Sequence, residues 1–431
     1  MRKYLPLLRS RWPVLAAIAT VLIILAVGVH TRGSLGGAWA ILQDIPLTPS
    51  FADTRTITHS IDCLVSGQNP YFVRSFDPWH RLYNYPPIWL DARYLGISSS
   101  SSNWIGTVMS VATAIVFLFL FEAKKWISTI LIYLAVQSRS VLFAVERGNT
   151  DQIIFFLLVF GLVVIDRQPA RLRSYLRGLL IGVLTVLKIY PVVVVSIFLR
   201  NRRGLLLAIL VAAFSLAALV VTAGHDLPVL LANTPKETLL SYGAYPFFVS
   251  MSVHMLSRAA PIVQDHPKIA TLGALVLCAF AMLAGAAFGR RLDRFLPPLD
   301  FDRARGAIAI AALTIFCFTF IQGASYDYRL LFLMGALAYL IEDINRGSTR
   351  RALPGAILIL LLLWKPFHLS FHGEILDASV FVVASLWLGN SLFYHLYFRR
   401  LPGDHAISGE RASEGIAKKQ GDRHPALNPT T

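Results

Sequence analysis

The chain contains 431 residues, of which 55% are hydrophobic and only 15% are charged, and its mean hydropathy is +0.60. Since a soluble domain carries about 25% charged residues, this composition excludes a soluble globular protein. The net charge of +16 argues against a nucleic-acid partner, because the basic residues form short clusters between apolar runs, as the positive-inside rule describes.

Ten apolar segments approach the length of about 20 residues that crosses a bilayer. They predict an all-α polytopic membrane protein with about ten transmembrane helices, at 13–29, 103–121, 126–144, 151–165, 204–223, 269–289, 306–322, 328–342, 352–365 and 376–398. A cleaved signal peptide is the alternative for the first segment, but its apolar run is long for one, so an uncleaved anchor is preferred.

With a cytoplasmic N-terminus, every dense basic cluster falls in a cytoplasmic loop. These clusters include Lys124-Lys125, Arg171 and Arg173, Arg290-Arg291, Arg350-Arg351 and Arg399-Arg400. The C-terminus is then cytoplasmic as well. The polar loops 30–102, 145–150, 224–268, 323–327 and 366–375 lie on the opposite side.

The loop 30–102 is the largest of these non-cytoplasmic segments. Ser50-Phe-Ala-Asp53 predicts a capping box that begins a helix. Apolar residues follow at helical spacing, and Gly67 suits the helix end. This pattern predicts an amphipathic helix lying on the membrane surface.

The segment 178–199 is apolar but has basic residues on both flanks, which a single crossing would place on opposite sides. Pro191 interrupts the run near its middle, where proline prevents helix continuation. We therefore predict a re-entrant helix pair with Lys188 at its apex. Residues 1–400 are interpreted as one transmembrane domain, and 401–431 as a disordered cytoplasmic tail.

Several short motifs occur in order along the chain. They are Gly67-Gln-Asn-Pro70-Tyr71, Tyr83-Asn-Tyr85-Pro86-Pro87, Glu146-Arg-Gly-Asn149-Thr-Asp151, Lys188-Ile-Tyr-Pro191 and Ser325-Tyr-Asp-Tyr-Arg329. With Asp53 in the first outer loop, this set resembles the GT-C superfamily of integral-membrane glycosyltransferases, particularly glycosyltransferase family 87. Asp91 and Arg93 depart from the apolar run expected after Tyr-Pro-Pro.

The resemblance implies a GT-C-like domain over 1–400 that transfers a hexose, with mannose expected, from a polyprenyl-phosphate donor with inversion. The acceptor would be a glycolipid or glycan at the non-cytoplasmic side of the bilayer. The absence of an Asn-x-Ser/Thr sequon fits a bacterial inner membrane.

Such a transfer needs a base for the acceptor hydroxyl and cations for the phosphate. Asp53 is the candidate catalytic base. Lys188, Arg329 and Arg147 are candidate phosphate or donor contacts. Tyr71 and Tyr85 are candidate sugar-stacking residues, although an interfacial aromatic belt would also explain them.

Each assignment has a structural alternative. Asp53 would cap its helix, and Asp44 and Asp62 are weaker candidates for the base. Arg147 would pair with Glu146 or Asp151, Lys188 would extend to an interface, and Arg329 would pair with Asp327.

No cofactor is predicted, because the outer loops contain no His-x-x-His, Asp-x-Asp or cysteine pair. A divalent ion held by Asp53 and phosphate is the weaker alternative. Two other functions share the hydropathy pattern. One is a transporter or flippase of a lipid-linked substrate, and the other is an O-antigen-type ligase or polymerase.

Overall fold

The computed structural model describes residues 5–43, 45–199, 202–234, 240–255, 263, 266–365 and 371–393. The predicted tail 401–431, the end of the predicted span 376–398, Asp44 and the basic residues Arg399-Arg400 lie outside the described residues.

The described chain is almost entirely helical. The α-helices of its first half are α1 (Leu5–Arg32), α2 (Leu35–Leu42), α3 (Ala52–Val65), α4 (Ser102–Leu120), α5 (Trp126–Val136), α6 (Arg139–Arg147), α7 (Asp151–Asp166), α8 (Ala170–Leu187) and α9 (Arg202–Ala223). Those of the second half are α10 (Leu227–Asn233), α11 (Ala244–Met255), α12 (Pro267–Ala287), α13 (Gly289–Leu292), α14 (Ala304–Ile321), α15 (Leu333–Asn345), α16 (Thr349–Trp364) and α17 (Phe371–Phe393).

Four 3₁₀ helices and one short ribbon complete the described elements. The 3₁₀ helices are Pro87–Leu95, Ser99–Ser101, Tyr190–Phe198 and Asp327–Phe332. Strands β1 (Ser241–Tyr242) and β2 (Ser325–Tyr326) pair antiparallel, with Ser241 opposite Tyr326. The prediction of an all-α polytopic membrane protein is confirmed.

All ten predicted spans contain an α-helix. Seven helical segments among the described residues are long and apolar enough to cross a membrane, namely Ser10–Arg32, Ser99–Leu120, Trp126–Arg147, Arg203–Ala223, Pro267–Ala287, Ala304–Ile321 and Phe371–Leu392. The other three predicted spans correspond to α7, α15 and α16, which have 16, 13 and 16 residues. These helices fall short of about 17 residues, the usual lower limit for spanning the hydrocarbon core.

Burial separates the central helix from the peripheral ones. The span within α14 is 72% buried, whereas that of α9 is 17% buried. A helix that is apolar all round but mostly uncovered needs an apolar solvent. The protein is therefore an integral membrane protein, with α14 in the centre of the bundle and α9 on its lipid-facing side.

The beginning of α3 differs from the predicted capping box. The helix begins at Ala52, after Phe51 in the left-handed conformation (φ 65°), and no side chain caps its first turn. Ser50 is buried and its hydroxyl has no hydrogen-bond partner among the described residues. The capping-box prediction was wrong because contacts with α6, described below, determine where α3 begins.

The predicted break at Lys188 is present. Helix α8 ends at Leu187, Lys188 is extended (φ −160°, ψ 137°), and a 3₁₀ helix starts at Tyr190. Pro191 lacks the backbone N–H that a continuing α-helix would need. That both halves enter and leave on one side of the bilayer stays a prediction.

One end of the bundle is basic and is called here the basic end. It contains Lys124, Lys125, Arg305, Arg346 and Arg351. The loop before α5 meets the end of α15 there, where Asn345 Nδ2 donates to the Glu122 carbonyl at 2.6 Å. Lys125 Nζ lies 3.5 Å from Thr349 Oγ1 at the start of α16. The basic residues of several distant loops therefore share one end, as the positive-inside pattern predicts.

The loop 30–102 packs at the opposite end of the bundle. Thr58 of α3 hydrogen-bonds to Ser102 at the start of α4 (2.7 Å), and α4 ends at the basic end. Ile57 and Ile61 of α3 form a small apolar core with Tyr71, Tyr83, Tyr85, Leu90 and Leu230. The loop is thus a folded layer and not an extended connection.

Candidate functional site

Asp53 lies in the first turn of α3, and only 8% of its surface is exposed. Its Oδ1 accepts a hydrogen bond from Arg81 Nη1 (3.1 Å), and its Oδ2 accepts one from Asn149 Nδ2 (2.5 Å). The carboxylate is turned away from the N–H groups of its own helix, so Asp53 does not act as the helix cap. This observation removes the principal structural alternative for Asp53.

A close contact between α3 and the end of α6 positions Asp53. Thr54 Oγ1 donates to the Gly148 carbonyl (2.7 Å), and Phe51 N donates to the Glu146 carbonyl (2.8 Å). Gly148 is left-handed (φ 57°), and a Cβ there would lie 2.5 Å from Thr54 Oγ1. Glycine is required for this approach, which brings Asp53 within reach of Asn149.

Arg81 connects Asp53 to a second carboxylate. Its Nη2 lies 3.0 Å from Asp77 Oδ2, which also accepts from Thr56 Oγ1 (2.8 Å). Burial opposes the charge of Arg81, but Asp53 and Asp77 outweigh it and raise the pKa of the guanidinium. Burial likewise opposes ionisation of Asp77, but its hydrogen bonds with Arg81 outweigh burial and lower its pKa. Arg81 is therefore a fixed cation that orients Asp53.

Two basic residues share one carboxylate beside this site, forming the cationic cluster of Lys188, Arg329 and Asp151. Asp151 is the first residue of α7 and is fully buried. Lys188 Nζ donates to Asp151 Oδ1 and to Thr150 Oγ1 (3.1 Å). Tyr190 OH donates to the same Oδ1 (2.7 Å), and Arg329 Nε lies 3.6 Å from Oδ2.

The two cations reach the cluster from irregular backbone. Lys188 occupies the break after α8, while Arg329 lies on the 3₁₀ helix that follows β2 and donates from Nη1 to Ser325 Oγ (2.9 Å). Both lie near the Tyr190 ring, with Nζ of Lys188 at 5.7 Å and Cζ of Arg329 at 5.5 Å from its centroid. Cation–π contacts of this kind hold basic side chains in place without removing their charge.

Asn149 joins the two halves of the site. Its Nδ2 donates to Asp53, and its Oδ1 accepts from the Asp151 N–H (2.8 Å) and lies 3.4 Å from Lys188 Nζ. A single buried amide therefore separates the carboxylate of Asp53 from the ammonium of Lys188. Two groups of opposite charge are held side by side without being paired directly.

The tyrosines of the first loop line this region. The Tyr85 ring is buried, with its centroid 5.6 Å from Lys188 Nζ. Tyr71 OH donates to the Tyr85 carbonyl (2.8 Å), and its ring meets that of Tyr83 edge-on at 5.0 Å. Tyr85 thus lies at the cationic cluster, whereas Tyr71 packs against Tyr83 and hydrogen-bonds to the backbone of Tyr85.

Arg147 is not brought into the site. Its Nε lies 3.1 Å from Glu146 Oε2, its Nη2 donates to the Ile45 carbonyl (3.3 Å), and its guanidinium lies over the Phe143 ring. The structural alternative, pairing with Glu146, describes its position. Of the six predicted site residues, the structure groups Asp53, Lys188, Arg329 and Tyr85.

The alternatives for the other two cations are not observed. Arg329 approaches Asp151 and not Asp327. Lys188 has 12% of its side chain exposed and is bonded to Asp151, so it does not extend to an interface.

Sequence reasoning missed five residues of the site. Asn149, Asp151 and Tyr190 lie within the ordered motifs but were not predicted as site residues, although their place in those motifs was an available signal. Arg81 and Asp77 lie in an irregular loop, at positions for which no periodicity or spacing provides a signal.

A second buried ionic cluster contacts the 3₁₀ helix that carries Arg329. Lys365 is 1% exposed, and its Nζ lies 3.0 Å from Asp327 Oδ1, 3.0 Å from Asp377 Oδ2 and 2.7 Å from the Ser241 carbonyl. It joins β1, the 3₁₀ helix of Arg329 and α17 at one point. Within the described ranges, no three His, Cys, Asp or Glu side chains are grouped so that they could hold a metal ion.

Comparison with known proteins shows a similarity over part of the chain. Residues 85–294 match the family model of glycosyltransferase family 87, a region that contains Tyr85 and Lys188 but neither Asp53 nor Arg329. The crystal structure of ArnT from Cupriavidus metallidurans in the apo state is similar to this chain. The match covers 88% of this chain and 77% of the ArnT chain, with 14% sequence identity and a TM-score of 0.33. The comparison with curated proteins gives no match.

Proposed function

We propose that the chain is a membrane glycosyltransferase of glycosyltransferase family 87, whose family model matches residues 85–294, and that it transfers a hexose from a polyprenyl-phosphate donor. The expected hexose is mannose, and the acceptor is a hydroxyl of a glycolipid or glycan. The observation that carries this proposal is the arrangement of one carboxylate, Asp53, beside the cationic cluster.

The charge of the cationic cluster matches this donor. Lys188 and Arg329 contribute two positive charges and Asp151 one negative charge, so the cluster carries a net charge of about +1. A sugar linked to polyprenyl phosphate is a phosphodiester with a single negative charge. Binding it would neutralise the cluster, and the fixed cations would stabilise the additional charge that develops as the sugar leaves.

Asp53 is proposed to act as the base. The acceptor oxygen attacks the anomeric carbon and transfers its proton to the Asp53 carboxylate, while the bond between that carbon and the phosphate oxygen breaks. Polyprenyl phosphate departs with two negative charges beside Lys188 and Arg329. A single displacement of this kind inverts the anomeric configuration.

The surrounding residues support these roles by fixing the base. Arg81 and Asn149 each donate to one oxygen of Asp53, which holds the carboxylate in one orientation. Each carboxylate oxygen retains a lone pair that can accept the hydroxyl proton. Orientation of the base before reaction is a principal source of rate enhancement.

The site is proposed to face the non-cytoplasmic side of a bacterial inner membrane, with both termini cytoplasmic. Asp151 begins α7 at the site, and Asp166 ends the helix beside Arg173 (3.2 Å). The 16 residues of α7 separate these two ends by about 24 Å. Positive clusters face the cytoplasm, which supports placing the site on the other face. Residues 1–400 are proposed to form one catalytic domain.

Membranes containing the protein are expected to transfer radiolabelled mannose from polyprenyl-phosphate-mannose to endogenous acceptors. Because the cationic cluster supplies the charge that neutralises the phosphate, we propose that no divalent metal is needed, and transfer is expected to be unaffected by excess EDTA. Movement of the intact donor across liposomes without glycosidic product would indicate a flippase, and activity only with a diphosphate donor would indicate a ligase.

Substitution Lys188→Met tests the cationic cluster. The KM for the donor is expected to rise about 10- to 100-fold, since a hydrogen bond to a charged group contributes about 1.5–3 kcal/mol. Asp151 keeps Tyr190 and Arg329 as partners, so the fold is expected to survive. Initial rates at varied donor concentration measure the effect, with Lys124→Met at the basic end as the control. An unchanged donor KM would remove Lys188 from the binding site.

A further inference from the structure

A separate polar cleft lies at the other end of α3. It has a volume of about 390 Å³ and is formed by the end of α3, the loop 67–71, the 3₁₀ helix Pro87–Leu95 and Asp226 before α10. Leu64, at its edge, lies about 16 Å along α3 from Asp53. The cleft is therefore distinct from the site of the base and the cationic cluster.

The lining of the cleft combines planar polar groups with an apolar floor. The polar side chains are Gln68, Asn69, Asp91, Arg93 and Asp226. Its apolar surface comes from Leu64, Pro70, Tyr71, Pro87 and Leu90. Sugars present C–H faces beside hydroxyl groups that both donate and accept hydrogen bonds, and this lining can match both features.

Its charge argues against an anion or a lipid chain as the occupant. Arg93 Nη2 donates to the Tyr94 hydroxyl (2.7 Å), and in the described structure neither Asp91 nor Asp226 forms an ion pair with it. Two carboxylates against one guanidinium give the cleft a net negative charge, which repels phosphate. An isoprenoid chain would leave these groups desolvated without partners. A neutral polyhydroxylated ligand fits best.

Three buried tyrosines pack in succession between the wall of the cleft and the cationic cluster. Tyr71 lines the cleft and packs on Tyr83, whose ring centroid lies 5.9 Å from that of Tyr85. Tyr85 in turn lies beside Lys188. An acceptor several sugar units long, with its inner units in the cleft, would span the distance of about 16 Å from the cleft to Asp53.

We propose that this cleft binds the glycan part of the acceptor, several sugar units away from the hydroxyl that reacts. The inference rests on the proposed function, because it concerns the second substrate of the same transfer. It assigns Asp91 and Gln68 as acceptor-binding residues and predicts that an acceptor carrying an oligosaccharide is preferred over a single sugar.

The test is binding of fluorescently labelled linear oligosaccharides of mannose, glucose, galactose and arabinose to the purified full-length protein, followed by anisotropy. At least one series is expected to bind, with affinity that increases with chain length. The double variant Gln68→Ala, Asp91→Asn is expected to weaken this binding by about tenfold or more. Both residues are on the surface, so the fold is expected to persist. Glu122→Gln at the basic end is the matched control.

Asp53→Asn separates this inference from the proposed function. That variant is expected to bind the oligosaccharide as the wild type does, even though it fails to transfer sugar. Binding of no oligosaccharide by the wild type, or equal binding by the double variant, overturns the cleft assignment and leaves the transfer assay to decide the function. If the wild-type protein binds an oligosaccharide normally but does not transfer sugar from polyprenyl-phosphate-mannose, only the donor assignment is overturned.

Discussion

Replacement of Asp53 by asparagine is expected to lower the rate of sugar transfer by about 100- to 10,000-fold, the usual contribution of a general base. The amide cannot take the proton of the acceptor hydroxyl. Binding of the donor is expected to change little, because Lys188 and Arg329 hold Asp151 and not Asp53. The measurement is the turnover rate at saturating donor, together with the donor KM.

Asp62→Asn is the matched control for this experiment. Asp62 lies on the same helix, and its Oδ2 accepts from the Ser99 N–H (3.1 Å), away from the cationic cluster. This variant is expected to retain transfer. An Asp53→Asn protein that folds normally and keeps full turnover would show that Asp53 is not the base. A matching loss in both variants would indicate a disturbance of α3 instead.

Substitution Lys365→Met is expected to destabilise the protein by about 3–5 kcal/mol, because it leaves buried carboxylates without their cation. Lys365 lies between Asp327 and Asp377, at 3.0 Å from each. It also holds β1 through the Ser241 carbonyl. The free energy of unfolding can be measured by SDS titration in mixed micelles, where Lys124→Met, an exposed lysine, should have almost no effect.

The triple variant Lys365→Met, Asp327→Asn, Asp377→Asn is expected to recover much of the lost stability, since it removes the unpaired charges along with the lysine. Because Asp327 and Arg329 share one 3₁₀ helix, the single variant is also expected to raise the donor KM in the fraction that remains folded. If Lys365→Met has the same free energy of unfolding as the wild type, the carboxyl groups of Asp327 and Asp377 are neutralised without Lys365.

The membrane class, the positions of the ten helical segments and the break at Lys188 were predictable from the sequence. Each depends on local composition: apolar runs of about 20 residues need a lipid environment, and Pro191 interrupts a helix wherever it lies. The ordered motifs also marked most of the segments that form the site. Asp53, Lys188 and Arg329 were selected for this reason.

Only the tertiary structure decided how these side chains pair. Arg147 and Lys188 look alike in sequence as cations near helix ends, yet Arg147 lies against Glu146 while Lys188 meets Asp151. The partner of a charged side chain depends on which loops meet at one end of the bundle, and no local pattern encodes that meeting.

Asp53, in the first turn of α3, also shows the difference between what local sequence predicts and what tertiary contacts decide. Local propensity predicted a cap at Ser50 and Asp53, but contacts of Phe51 and Thr54 with the end of α6 set the start of the helix. Those contacts turn Asp53 toward Arg81 and Asn149. The sequence by itself determined a membrane-embedded helical protein with polar loops on one side. The packing of one loop against another made Asp53 a held carboxylate beside two cations, because long-range contacts outweighed the small free energy of a helix cap.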